Sequence, residues 1–230
     1  MSPRLNKEKL AILHLLFFTG VCIVTCITIE EEPKVCGQSE DDRRAVSNYQ
    51  FSDGNVNTTI SKYPWTVLIL KYDGVGLARR PKIFCGGSLI STKHVLTASH
   101  CLNQRIKKDL LIVVGSEDPF SSDLSKQGQI FNVKEFAKHP NYESGEIYFD
   151  VAIIELFRSV EIAFDIQPIC IPKMAVANTD DLKNFPSVIS GYGSATGKRS
   201  SIIHYASLTI IENDECQGNL SKSIDNKTVC

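Results

Sequence analysis

The sequence predicts an all-β fold, and three observations carry that prediction. Past Tyr63 the apolar residues come in short runs rich in Val, Ile, Leu and Thr, too short for ordinary helices. The segments between the runs are rich in Gly, Ser, Asp, Pro and Lys, which are turn and loop residues. No long helical period alternates with the runs, which argues against a parallel sheet with crossover helices and for a sandwich or barrel.

Taken in order, the strands are expected at Trp65–Leu70, Gly87–Ile90, Val95–Thr97, Leu110–Val114, Ile130–Phe136 and Val151–Leu156, followed by Ser187–Ser190 and Ser207–Ile211. Their connectors are Lys71–Lys82, Asn103–Asp109, Ser116–Gly128 and Lys138–Ile147. One short helix is expected at Asn213–Leu220, begun by Asn213 with acidic residues in its first turn. No internal repeat and no low-complexity tract interrupts this pattern.

Composition narrows the function classes. The chain has 230 residues, 25 basic and 26 acidic side chains, a net charge of −1 and 43% hydrophobic residues. A near-neutral chain without a long basic run offers nucleic acid no face to bind. The hydrophobic fraction excludes wholesale disorder, and the absence of a period excludes collagen and coiled coil. The length suits one domain with extensions, at about 100–200 residues per domain. Eight cysteines invite a disulfide framework if the compartment is oxidising.

The amino terminus speaks to the compartment. Arg4, Lys7 and Lys9 precede an apolar stretch, Leu10–Ile29, interrupted by His14, Thr19, Gly20, Thr25 and Thr28. This is the pattern of a secretory signal peptide, residues 1–26, with cleavage expected after Cys26. The rival reading is an uncleaved membrane anchor, because about 20 residues can span a bilayer. Both place the rest of the chain in an oxidising, extracellular space. Sequons at Asn57, Asn219 and Asn226 are consistent with that space. Residues 27–51 are polar and acidic, with Glu30-Glu31-Glu32, Glu40-Asp41-Asp42 and then Arg43-Arg44, and read as a leader rather than core.

The chemistry starts at Leu96-Thr97-Ala98-Ser99-His100-Cys101. Alone, a histidine beside a cysteine is a core imidazole, a metal ligand or a chance neighbour. Around it lie Pro64-Trp65-Thr66-Val67, Cys85-Gly86-Gly87-Ser88-Leu89-Ile90, His139-Pro140-Asn141-Tyr142, Asp150-Val151-Ala152, Pro168-Ile169-Cys170-Ile171-Pro172 and Ser190-Gly191-Tyr192-Gly193. Motif by motif and in this order, the chain resembles the trypsin-like (chymotrypsin-fold) serine proteases, of the secreted invertebrate kind, from about Ser52 to Cys230.

That resemblance implies a chymotrypsin-like double β-barrel. It makes His100 the base of a catalytic triad and Asp150 the carboxylate that orients it. It also implies three bridges: Cys85 with Cys101, Cys216 with Cys230, and the leader's Cys36 with Cys170. Cys22 and Cys26 fall within the signal region. His94, His139 and His204 show no metal-ligand spacing, so neither a metal nor another cofactor is expected.

The family's nucleophile stands in Gly-Asp-Ser-Gly-Gly-Pro, and the 230 residues contain no such motif. Ser194, after the Gly-Tyr-Gly turn, reads as a loop serine. The expectation is a complete first barrel and a second barrel truncated before the catalytic serine, more in keeping with a fragment or an incomplete gene model than with an evolved short product. Where the family has Arg or Lys before Ile-Val-Gly-Gly, this chain has Gln50-Phe51-Ser52-Asp53-Gly54. Two functions follow: a secreted endopeptidase acting on protein or peptide substrates, inactive without its serine, or a non-catalytic homologue that binds a protein partner as a regulator or effector.

Overall fold

Val67 to Leu70 is an unbroken apolar run, and the fold explains it, because both faces of that strand are covered. The structure is a computed structural model that describes residues 11–18, 21–28, 36–38, 56–57, 60–73, 80–103, 107–122, 126–171, 186–192 and 203–218. Strands β1 (Ala11–Phe18) and β2 (Val21–Thr28) pair with each other as an antiparallel ribbon. This ribbon occupies the stretch read as a signal peptide or an anchor. Among the described residues no helix is long and apolar enough to cross a membrane.

Next come β3 (Val56–Asn57), β4 (Thr66–Asp73), β5 (Arg80–Leu89), β6 (His94–Thr97), β7 (Leu110–Val114), β8 (Gln129–Lys138) and β9 (Ala152–Leu156). The last six of these close into a barrel in the order β4-β5-β6-β9-β8-β7. Closure leaves no edge strand to manage. Alternation fills the barrel: Val67 and Ile69 of β4, Ile112 and Val114 of β7, and Ile154 and Leu156 of β9 all point into one buried cluster.

The opposite face of β4 and β7 builds a second cluster. Leu68, Leu70 and Val113 pack there with Ile60, Tyr63, Tyr192 and Ile203. Tyr192 and Ile203 flank a three-stranded sheet of order β10-β11-β3, in which β10 is Pro186–Gly191 and β11 is His204–Thr209. Two polar ties join the layers: Thr66 Oγ1 and Ser190 Oγ lie 2.8 Å apart, and the Tyr192 hydroxyl donates to the Ser116 carbonyl. The sheet ends near a short helix, α1 (Asn213–Gln217).

Two glycines are required by space. A Cβ on Gly87 would lie 2.8 Å from both the Leu96 carbonyl oxygen and Val95 Cγ1, where β5 crosses β6. Gly115 has φ +68°, and its Cβ would lie 2.3 Å from Ile166 Cγ1.

Several boundaries differ from the sequence reading. β7 matches it, but β5 begins at Arg80 rather than Gly87, inside a presumed connector. Arg80 and Lys82 lower strand propensity, yet β4 pairs with this half from Leu70↔Ile83 to Asp73↔Arg80 after a bulge. Lys71 accommodates by laying its ammonium 4.9 Å from the Phe84 ring centre. β8 reaches Lys138, held by pairing to Ala152. β11 begins three residues before its expected start, because His204 and Tyr205 pair with β3. The expected helix Asn213–Leu220 is shorter in the structure: it ends at Gln217 with Gly218 as its C-cap, and Asn219 and Leu220 lie outside the described residues.

Candidate active site

The β6–β9 ladder places the two residues that the motifs single out. Thr97, the last residue of β6, pairs with Ala152, the first of β9. The chain leaving β6 turns through a short 3-10 segment, Ser99–Leu102, and the chain entering β9 passes through Asp150. Register alone therefore brings His100 and Asp150 together across 50 residues of sequence.

Asp150 grips His100 twice. Its Oδ1 accepts the His100 backbone N–H at 2.8 Å, and its Oδ2 lies 2.7 Å from the ring Nδ1. A carboxylate can only accept, so Nδ1 carries the proton and Nε2 is left with a lone pair. A ring held this way can take a proton at Nε2 and return it, while the carboxylate stabilises the cation formed in between. The imidazole side chain is 60% exposed and the carboxylate 23%, so a reactant can reach the ring while its partner stays sheltered.

Neighbouring groups fix this turn. The buried Ser99 hydroxyl donates to the Val151 carbonyl at 2.7 Å, binding the histidine turn to the aspartate segment. Thr97 Oγ1 donates to the Gly86 carbonyl at 2.8 Å. The Cys85–Cys101 bridge, with Cα atoms 6.1 Å apart, ties the turn to β5. Ahead of Asp150, Phe149 has φ 55°, a conformation that costs an aromatic residue on the order of 1–2 kcal/mol. Its ring stacks on His139, centroids 4.6 Å apart, and the Val151 N–H closes a tight turn onto its carbonyl at 2.8 Å.

The remaining expected residues are placed as follows. Cys36 and Cys170 form a disulfide, and the adjoining Gly37 N–H donates to the Pro168 carbonyl. Cys216 is disulfide-bonded, while its expected partner Cys230 lies outside the described residues. Asn57 lies on β3, paired with His204; Asn219 and Asn226 lie outside the described residues. His94 sits buried in the β5–β6 hairpin with Nδ1 2.8 Å from Ser91 Oγ. Among the described residues one trio has metal-ligand proximity, Cys85, His100 and Cys101. Both of its sulfurs are in the disulfide, which leaves no thiolate to donate.

Sequence reasoning missed Ser99, Thr97, His139 and Phe149 as supports of this pair. Ser99 and Thr97 lie within the quoted motif, but a hydroxyl's target is a tertiary fact. Phe149 gives no signal at all, because aromatic residues ordinarily avoid its backbone region.

A family model for trypsin matches residues 53–230. The protein named serine protease filzig, of Drosophila melanogaster, is 32% identical over 179 residues, covering 76% of this chain and 10% of that protein. The clotting factor G beta subunit of Tachypleus tridentatus is 29% identical over 187 residues, covering 75% of this chain and 56% of its own length. The venom serine protease Bi-VSP of Bombus ignitus is 26% identical over 175 residues, covering 74% and 47% respectively. This chain thus spans from a tenth to little over half the length of these relatives.

Proposed function

Because the chain belongs to the trypsin family of serine proteases, we propose that the full-length protein is a secreted serine-type endopeptidase. It hydrolyses peptide bonds by acyl transfer, with His100 as general base and then general acid and Asp150 as the carboxylate that orients it. The observation that carries this reading is the double grip of Asp150 on the backbone and ring of His100. A carboxylate there only for stability needs no exposed imidazole at its far side. The nucleophile and the oxyanion-hole amides belong to Gly-Asp-Ser-Gly-Gly-Pro, which the 230 residues do not contain, and without them the chain carries out no useful hydrolysis.

Sequencing the transcript past the codon for Cys230 tests this directly: a frame encoding that motif is expected, and an immediate stop codon refutes the endopeptidase. Fluorophosphonate labelling of the 230-residue chain is expected to give no serine adduct. Secretion follows from residues 1–26 acting as a signal peptide, with glycans at Asn57, Asn219 and Asn226. Amino-terminal sequencing of material from culture medium should begin at residue 27, and an intact Leu10–Ile29 in a membrane fraction would establish the anchor instead.

A second reading is a non-catalytic homologue that binds a protein partner. Its support is Gln50-Phe51-Ser52-Asp53-Gly54, which offers no basic residue for cleavage where the family has Arg or Lys. A substituted serine in the extended transcript would select it.

A further inference from the structure

The Cys85–Cys101 bridge does more than hold the turn, because it lies against the one free nitrogen of the imidazole. His100 Nε2 is 3.4 Å from Cys101 Sγ, and the ligand atoms of Cys85, His100 and Cys101 all lie within 4.8 Å of one another. In a tetrahedral zinc site with bonds of about 2.3 Å to sulfur and about 2.05 Å to nitrogen, the sulfur–nitrogen edge is about 3.6 Å. The histidine–sulfur edge therefore already has nearly the length that zinc requires. The other ring nitrogen is held by Asp150 Oδ2 at 2.7 Å, and a carboxylate behind the histidine is the usual support of a zinc-bound imidazole.

We propose that reduction of the Cys85–Cys101 bridge converts this corner of the barrel into a zinc site, with Cys85 and Cys101 thiolates and His100 Nε2 as protein ligands and Asp150 fixing the imidazole. Two molecules of a thiol reductant supply the electrons: the sulfur–sulfur bond breaks, two cysteine thiols form, and the reductant leaves as its own disulfide. Zinc then displaces the two thiol protons to solvent. The exposed imidazole leaves the fourth position open to water, whereas Cys101 is buried and Cys85 partly buried, which shields the sulfurs. In the oxidised chain the site is closed, since neither sulfur is a thiolate. Zinc bound there both prevents the bridge from re-forming and removes Nε2 from proton transfer.

The test uses the whole chain reduced with a phosphine, iodoacetamide as probe, and mass spectrometry to read each cysteine separately. Stoichiometric Zn²⁺ is expected to slow alkylation of Cys85 and Cys101 together by at least about tenfold, and to protect Cys36 and Cys170 far less. His100→Ala should abolish that preference. Asp150→Asn should raise the zinc concentration required by about 10–100-fold. Equal protection of all four cysteines, protection that is indifferent to His100 or Asp150, or no protection in the unsubstituted chain would each overturn the proposal. The first two are what an unfolded, reduced chain would show, so loss of the fold is also read as a negative result.

Discussion

Two β layers meet around Leu68, and they differ in how their edges end. The barrel returns β7 to β4, so all six strands are paired on both sides. Among the described residues the sheet of β10, β11 and β3 is open in its strand order, with Val188, Ile189 and Leu208 exposed by 43%, 57% and 51%. His100 and Asp150 belong wholly to the closed layer, at the ends of β6 and β9. The difference teaches that, among the described residues, the barrel positions the His100–Asp150 pair, whereas the sheet contributes mainly the cover over Leu68, Leu70 and Val113.

The strongest way to sharpen that contrast is to alter the chemistry without altering the fold. If the proposed endopeptidase is obtained with its serine, Asp150→Asn should lower its kcat by about 10⁴-fold, because an amide keeps the volume but favours the wrong imidazole tautomer. Its melting temperature should stay close to that of the parent, since the carboxylate is partly solvated and the barrel core is untouched. A kcat within tenfold of the parent would remove Asp150 from the mechanism.

A paired substitution tests the packing side of the comparison. Ile112 is fully buried inside the barrel, and Ile112→Ala should cost about 2–5 kcal/mol by denaturant unfolding. Ile189 on the open sheet is mostly exposed, and Ile189→Ala should stay within about 0.5 kcal/mol. Equal losses would mean that the sheet is as tightly packed as the barrel.

What the sequence made legible follows the same division. Leu110–Val114 is read to the residue because it is an uninterrupted aliphatic run of strand length, with both of its faces packed against apolar clusters. The Arg80 half of β5 was invisible: its polar side chains describe a loop, and only pairing with β4 makes it a strand. At the site, His100, Asp150 and the Cys85–Cys101 bridge were legible because they lie in ordered motifs. The Ser99–Val151 bond and the left-handed Phe149 were not, because each depends on where a remote carbonyl or ring comes to rest. On the open sheet the shift of β11 depends on β3, a two-residue strand too short to announce itself.

The Cys85–Cys101 bridge comes next in size. Replacing both cysteines by alanine should cost about 3 kcal/mol, as the loss of chain restraint over a 16-residue loop suggests. The loss should be felt in the barrel, where hydrogen exchange of β5 and β6 amides should quicken more than that of β10 and β11. Faster exchange confined to the open sheet would reverse the assignment of rigidity.

The smallest effect probes the seam itself. Tyr192 is 6% exposed and its hydroxyl donates to the Ser116 carbonyl, so Tyr192→Phe keeps the ring and removes one buried bond, at a cost of about 1 kcal/mol. The same phenol gives the seam a pH dependence. Burial, with the nearby carboxylates of Glu117 and Asp118 adding, raises its pKa well above the ordinary value of 10.0. A raised pKa means that the folded state holds the proton more tightly than the unfolded chain. Its stabilising contribution is therefore complete below about pH 10 and declines as pH rises beyond it, where the unfolded phenol ionises first. Denaturant unfolding followed between pH 8 and about pH 11 should show the parent losing stability faster than Tyr192→Phe above pH 10. Parallel curves would place the phenol in solvent and loosen the join between the two layers.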